Sequence, residues 1–244
     1  MNIVVIFAGG AGQRMNTKTT PKQFLEVHEK PIIVHTIEKF QRHPDIDKIV
    51  VACIESGIEY VNTLIDRYKL TKVEHVVPGG ETGQLSIYNG LKTAKEKYGD
   101  GHIVLIHDGV RPIINAKTIS AAIESVKKNG SAVTISPATE TIALKSEDGQ
   151  VVDIVDRSKC LLAKAPQCFW LDEIFENHNK ALAEGITDFI DSACLMRHYG
   201  HSIYTVEGSP ENIKITTPID FYIMRAIIDA YENTQIFGIE QGEK

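Results

Sequence analysis

Residues 2–7, polar only at Asn2, form an apolar run that stops at a glycine-rich stretch, the pattern of a strand buried on both faces of a parallel sheet. Short β-branched runs recur at residues 48–53, 73–77, 102–106 and 131–136. Between them, residues 31–42, 58–68, 85–97 and 116–128 carry apolar positions at helical spacing and end in Gly, Pro or polar residues. Strands alternating with amphipathic helices predict crossover units and a mainly parallel α/β sheet.

The rhythm changes after residue 136. Residues 139–145 and 151–155 read as two strands joined by Ser146-Glu147-Asp148-Gly149, which is hairpin chemistry. Helices are expected at 171–183 and 191–199, strands at 202–207 and 212–215, and a last helix over about 218–232. With no repeat and no long linker, one domain of residues 1–244 with a projecting hairpin over 138–157 is the economical arrangement.

Composition narrows the function classes. The 244 residues are 43% hydrophobic and 24% charged, with 32 acidic against 26 basic side chains and a formal charge of −6. That balance argues against a nucleic-acid partner, which needs a broad cationic face, and leaves room for a local basic cleft. No apolar run approaches the roughly 18–20 residues of a membrane helix, and the Met1 start leads straight into a strand, so neither membrane nor leader is expected and the default compartment is the cytoplasm. Cys53, Cys160, Cys168 and Cys194 lie apart with no C-x-x-C pair, which is neither a disulfide framework nor a zinc pattern. Cys194, His198 and His201 are close in sequence, but their spacing is read as incidental rather than as a metal site.

The stretch AGGAGQRM, from Ala8 to Met15, follows the first strand. It fails the dinucleotide fingerprint, which would need glycine at Met15, and the Walker pattern, because Gln13 and Arg14 follow Gly12. What remains is a loop whose backbone amides can approach phosphate oxygens closely at Gly9, Gly10 and Gly12, followed by Arg14 and by Pro21-Lys22-Gln23. A tight turn with two solvated cations is the plain structural alternative for this segment.

Together with PKQFL (21–25), Gly79-Gly80 with Ser86, HDGVRP (107–112), VDR (155–157), APQ (165–167) and NIKITTP (212–218), this loop resembles the cytidylyltransferases that join CTP to sugar-alcohol phosphates. The resemblance spans essentially the whole chain. It implies a Rossmann-like nucleotidyltransferase fold and attack by a substrate phosphate oxygen on the α-phosphorus of CTP, with pyrophosphate leaving. Arg14, Lys22 and Lys214 resemble the family's catalytic cations. Ala8, Gly9, Gly10, Gly12, Gly79, Gly80, Ser86 and Asp108 resemble its nucleotide-binding positions. Asp108, at a strand's carboxyl end, is the candidate ligand for Mg²⁺, the implied cofactor, which needs few protein carboxylates when phosphates and water complete its shell. Arg157, Lys214, Arg111 and Glu140 resemble the acceptor side. The hairpin resembles an arm that crosses a homodimer and completes the partner's pocket, and an isolated two-stranded hairpin is marginal in water without such a partner.

Three positions depart from the pattern: Gly83 stands where an arginine is usual, Glu140 where aspartate is usual, and Ala165 where TPQ begins with threonine. The eight-position spacing from Arg14 to Lys22 and the run Thr216-Thr217-Pro218 resemble the branch that uses ribitol 5-phosphate. A methylerythritol-phosphate acceptor remains the alternative. A sugar-nucleotide pyrophosphorylase and a nucleotide-binding regulatory module without activity are the rivals.

Overall fold

The computed structural model describes residues 1–10 and 20–237. Gly12 and Arg14 lie outside the described residues. In chain order the elements are β1 (Asn2–Ala8), β2 (Glu26–Val27), β3 (Lys30–Pro31), α1 (Ile32–Gln41), β4 (Lys48–Cys53), α2 (Ile58–Tyr68), β5 (Val73–Pro78), α3 (Gly83–Tyr98), β6 (Ile103–Asp108), α4 (Ala116–Asn129), β7 (Ser131–Pro137), β8 (Ile142–Lys145), β9 (Val151–Val155), β10 (Leu161–Trp170), α5 (Leu171–Ala183), α6 (Ser192–His198), β11 (Thr205–Glu207) and α7 (Pro218–Phe237).

A seven-stranded sheet of order β11-β7-β10-β6-β1-β4-β5 forms the centre. β1 pairs in parallel with both β4 and β6, β4 with β5, and β7 with β11. Side chains of β1 alternate between two cores. Val4 and Ile6 pack with Ile33, Ile37 and Phe40 of α1 and with Ile119 and Ile123 of α4, whereas Ile3 and Val5 pack with Ile87 and Leu91 of α3 and Ile174 of α5. Each of these fully buried Val or Ile side chains contributes roughly 1.5–3 kcal/mol, which is why the first strand has no polar position between Ile3 and Phe7.

α3 begins at Gly83, two residues before the expected start, because Thr82 caps it by accepting a hydrogen bond from the Leu85 amide (3.1 Å). Two readings need larger correction. The expected strand at 212–215 is an extended connection: Ile215 N–H donates to Val110 O (3.0 Å) and Asn212 Nδ2 to Ala165 O (2.7 Å), with no ladder. Conversely, β10 is a ten-residue strand that periodicity does not reveal, since Pro166 interrupts its pattern. It runs antiparallel between β6 and β7, with a register irregularity between Ala163 and Gln167 where the proline falls. The sheet is therefore mixed, though mostly parallel.

β8 and β9 form a separate two-stranded antiparallel sheet joined at 146–150, as expected. No helix among the described residues is long and apolar enough to cross a membrane.

Candidate functional site

Two clefts open along the carboxyl ends of β1, β5 and β6, the edge where open α/β sheets receive ligands. One, of about 290 Å³, is lined by Gly9, Gly10, Lys22, Gly80 and Ser86. The other, of about 270 Å³, is lined by Arg111, Lys164, Gln167, His178 and Ser192. They share Phe7, Gly83, Asp108 and Lys214, so Asp108 and Lys214 stand at the junction.

On the first side the backbone of β1 passes close to the β5–α3 turn. A Cβ on Gly9 would lie 2.5 Å from Ser86 Oγ, and one on Gly79 would lie 3.3 Å from both the Gly9 Cα and the Cys53 oxygen. A side chain at Gly9 would force Ser86 to shift, and one at Gly79 would press on the neighbouring backbone. Ser86 is buried, and its Oγ accepts from Gly80 N–H (3.0 Å) and donates to Thr82 O (2.9 Å). Its hydroxyl therefore shapes the turn as well as lining the cleft. Lys22 begins a 3₁₀ turn, Lys22–Phe24, fixed by the buried Gln23, whose Nε2 donates to Ala8 O (2.8 Å). Ala8 is buried at the end of β1.

At the junction, Asp108 takes two cations. Its Oδ1 lies 2.6 Å from Lys214 Nζ and its Oδ2 accepts from Arg111 Nε at 2.7 Å. Burial opposes ionisation, but Lys214 and Arg111 outweigh it and hold the carboxyl below the usual carboxylate range. Arg111 Nη1 also donates to Asn212 O (2.9 Å), tying the loop after β6 to the connection that carries Lys214. Ile215 is fully buried beside Val110, Ile113 and Met224, which anchors Lys214 from its C-terminal side. Beneath them His107 is fully buried, and burial pushes its imidazole down to about 4. Its ring faces Arg111 O through Nε2 (3.1 Å), so a neutral side chain braces the HDGVRP loop.

A carboxylate offers about four acceptor lone pairs, and the two cations use two of them. Asp108 thus fits as a single hard oxygen ligand for Mg²⁺ held otherwise by phosphates and water. Among the described residues no group of three or more His, Cys, Asp or Glu side chains is placed to hold a metal.

Arg157 and Glu140 are not brought to either cleft of their own chain. Arg157 is exposed just after β9, its Nη1 donating to Thr139 O (2.9 Å), and Glu140 is exposed at the hairpin base. Gly83 opens the first turn of α3 onto both clefts, and a Cβ there would meet nothing within 4 Å. Ala165 is buried against Asn212.

Sequence reasoning missed Lys164, whose Nζ donates to Pro210 O (2.8 Å) and whose amine is lowered by burial and then by Arg111. It also assigned no task to Gln167, which accepts from Ala193 N–H (2.9 Å) and donates to Asp191 Oδ2 (2.9 Å), joining β10 to the α6 cap. Their place around the APQ motif was the available signal.

The family model described as IspD, 2-C-methyl-D-erythritol 4-phosphate cytidylyltransferase, matches residues 2–230. The chain belongs to the IspD family. Among its IspD-family relatives, the chain is 54% identical over 239 residues to a ribitol-5-phosphate cytidylyltransferase of Streptococcus agalactiae serotype Ia, covering 98% of this chain and 100% of that protein. It is 40% identical to a 2-C-methyl-D-erythritol 4-phosphate cytidylyltransferase of Clostridium acetobutylicum, covering 93% of this chain and 97% of that one. The crystal structure of 4-diphosphocytidyl-2C-methyl-D-erythritol synthase from Anaerococcus prevotii superposes with a TM-score of 0.81 at 25% identity, covering 93% of this chain and 96% of that one.

Proposed function

We propose that this protein transfers CMP from CTP to D-ribitol 5-phosphate, giving CDP-ribitol and pyrophosphate. The observation that carries the chemistry is the cation pair at the junction of two clefts, where Lys214 and Arg111 grip one buried carboxylate. The identity to a ribitol-5-phosphate cytidylyltransferase, higher than to the methylerythritol enzyme, favours the acceptor. In this reading the glycine-lined cleft receives the nucleotide and the second cleft receives the acceptor phosphate.

The step needs no covalent enzyme intermediate. An acceptor phosphate oxygen attacks the α-phosphorus, the bond to the leaving pyrophosphate breaks, and charge spreads over the equatorial oxygens. Lys22 holds the triphosphate beside the Ala8–Gly10 backbone. Lys214, fixed by Asp108, stabilises the charge that develops where the clefts meet. Arg14 belongs to this charge set on sequence grounds. Mg²⁺ bound at Asp108 would neutralise phosphate charge and orient its oxygens.

The chain acts in this proposal as one domain whose hairpin arm pairs with a second copy. Leu144, Val151, Val152, Ile154, Leu161 and Leu162, on and beside the hairpin, are 48–64% exposed, an apolar surface suited to a homodimer contact. Such a contact would carry Arg157 and Glu140 to the partner's acceptor cleft. Replacing Val152 and Ile154 together by aspartate is expected to turn a dimer into a monomer in sedimentation velocity and to raise the acceptor KM. A wild-type protein that is monomeric and fully active would refute the shared pocket.

The test of function supplies CTP and Mg²⁺ with either ribitol 5-phosphate or 2-C-methylerythritol 4-phosphate and follows pyrophosphate. Turnover with ribitol 5-phosphate is expected to exceed the other by at least about tenfold in kcat/KM. Turnover with the methylerythritol substrate alone would reassign the acceptor, and tight CTP binding with no turnover would support a regulatory module.

A further inference from the structure

Among the described residues, seven buried side-chain nitrogen or oxygen atoms have no hydrogen-bond partner. Three of them belong to two residues that line the same cleft: both ring nitrogens of His178 and the Oγ of Ser192. None of the other four atoms, on His107, Asn177, Asn212 and Thr217, belongs to a residue lining either cleft. Buried polar groups are normally paired, because leaving one unpaired forfeits its full desolvation free energy. Two such residues lining one cleft therefore mark a place built for something polar.

The chemistry of these two residues differs from the chemistry of the junction. His178 is 1% exposed and Ser192 is 3% exposed. Burial alone pushes the His178 imidazole down to about 4, with no charged side chain contributing. At neutral pH the ring is uncharged and offers one N–H donor and one lone-pair acceptor, while the serine offers a hydroxyl that does both. The wall around them is apolar, with Ile87, Phe189 and Leu195. Arg111, Lys164 and Lys214 line the same cleft. A ligand matching both sets of groups is anionic at one terminus and carries neutral hydroxyls on a hydrocarbon chain.

We propose that His178 and Ser192 form the hydroxyl-binding end of the acceptor cleft and select the length of the polyol chain whose phosphate faces Arg111, Lys164 and Lys214. This rests on the reading of the second cleft as the acceptor site. A hydroxyl is both donor and acceptor, so one carbon-borne hydroxyl can satisfy the imidazole on either nitrogen and a second can pair with Ser192. The C–H faces of the chain pack on the apolar wall. A three-carbon phosphate anchored at the cations leaves the far groups unmatched. A site that hydrogen-bonds a substrate hydroxyl discriminates strongly against a substrate lacking it.

The experiment is steady-state kinetics with CTP and two acceptors, ribitol 5-phosphate and the shorter glycerol 3-phosphate, for wild type, His178→Leu and Ser192→Ala. The KM for ribitol 5-phosphate is expected to rise roughly 10- to 100-fold in His178→Leu, and by less in Ser192→Ala. The KM for CTP should stay within about twofold, because the nucleotide occupies the other cleft. The preference for the five-carbon acceptor should fall in parallel, and His178→Gln, which keeps a donor and an acceptor, should restore part of it. Unchanged acceptor KM and unchanged length preference in folded variants would overturn the subsite while leaving the cytidylyltransferase reading intact. A wild-type protein that turns over no polyol phosphate would overturn both. If the variants do not fold, the wild-type protein with ¹⁵N-labelled histidine decides: ribitol 5-phosphate should shift the His178 ring resonances and glycerol 3-phosphate should not. An absent or equal response to the two would overturn the subsite.

Discussion

Replacing Asp108 by alanine is expected to lower folding stability by about 3–5 kcal/mol, measured by urea unfolding at pH 7, and to remove nearly all turnover. The stability loss follows from what is left behind. Arg111 has a side chain only 12% exposed, and without Asp108 its charge is buried and unpaired. Lys214, at 39%, regains water more easily, so the lower part of that range is expected. Asp108→Asn keeps an acceptor for one cation but loses the charge, and should fall between wild type and alanine. The activity loss has a separate origin. Without the carboxylate, Lys214 is no longer held at the junction of the clefts, and a displacement of about 1 Å in such a group costs on the order of 10² in rate. An alanine variant as stable as wild type would show that the two cations find other partners, and would remove the clamp.

The second large effect is expected at Lys22. Lys22→Ala should reduce kcat by about 10²–10³ in a pyrophosphate-release assay, the loss typical of one preorganised charge stabiliser. Gln23 and Phe24 keep the 3₁₀ turn in place, through the Ala8 oxygen and through Phe24 N–H to Pro21 O (2.9 Å). The thermal midpoint should therefore stay within a few degrees of wild type. Lys22→Arg retains the charge but not the compact ammonium, and partial activity is expected. Full activity in Lys22→Ala would end the catalytic assignment.

Much of the architecture was legible because local and global signals agree. The first strand's unbroken apolar run is read directly, since both faces of β1 are covered. α2 and α5 begin and end where periodicity places them. β10 was not legible, because Pro166 is a strand breaker except at a bulge, and only the neighbours β6 and β7 reveal that a bulge is there. The connection at 212–215 misled in the opposite sense. Its alternating Ile213, Lys214, Ile215 imitates a strand, while the real cause of the pattern is two isoleucines packed on one core and one lysine reaching a carboxylate.

The candidate site was legible in part for the same reason. Single positions such as Asp108 and Lys214 carry a motif, but their contact joins segments 106 residues apart and exists only once the sheet is formed. His178 gave no motif signal at all. Its significance lies in what it fails to touch, and a sequence does not record missing partners.

β10 has a consequence for how this chain can diverge. Its outer residues, Leu161 to Ala163, pair with the end of β7 beside the hairpin, and its inner residues, from Gln167 onward, pair with both β6 and β7. Side chains on a strand alternate sides with every residue. One inserted residue between Leu161 and Ala163 would turn the exposed leucines inward or swing Lys164 out of its cleft. The hairpin tip at 146–150 imposes no such rule, because a lengthened turn leaves both strands in register. Descendants of this sequence are thus free to lengthen the tip of the arm, while the distance from its root to the cleft is inherited unchanged.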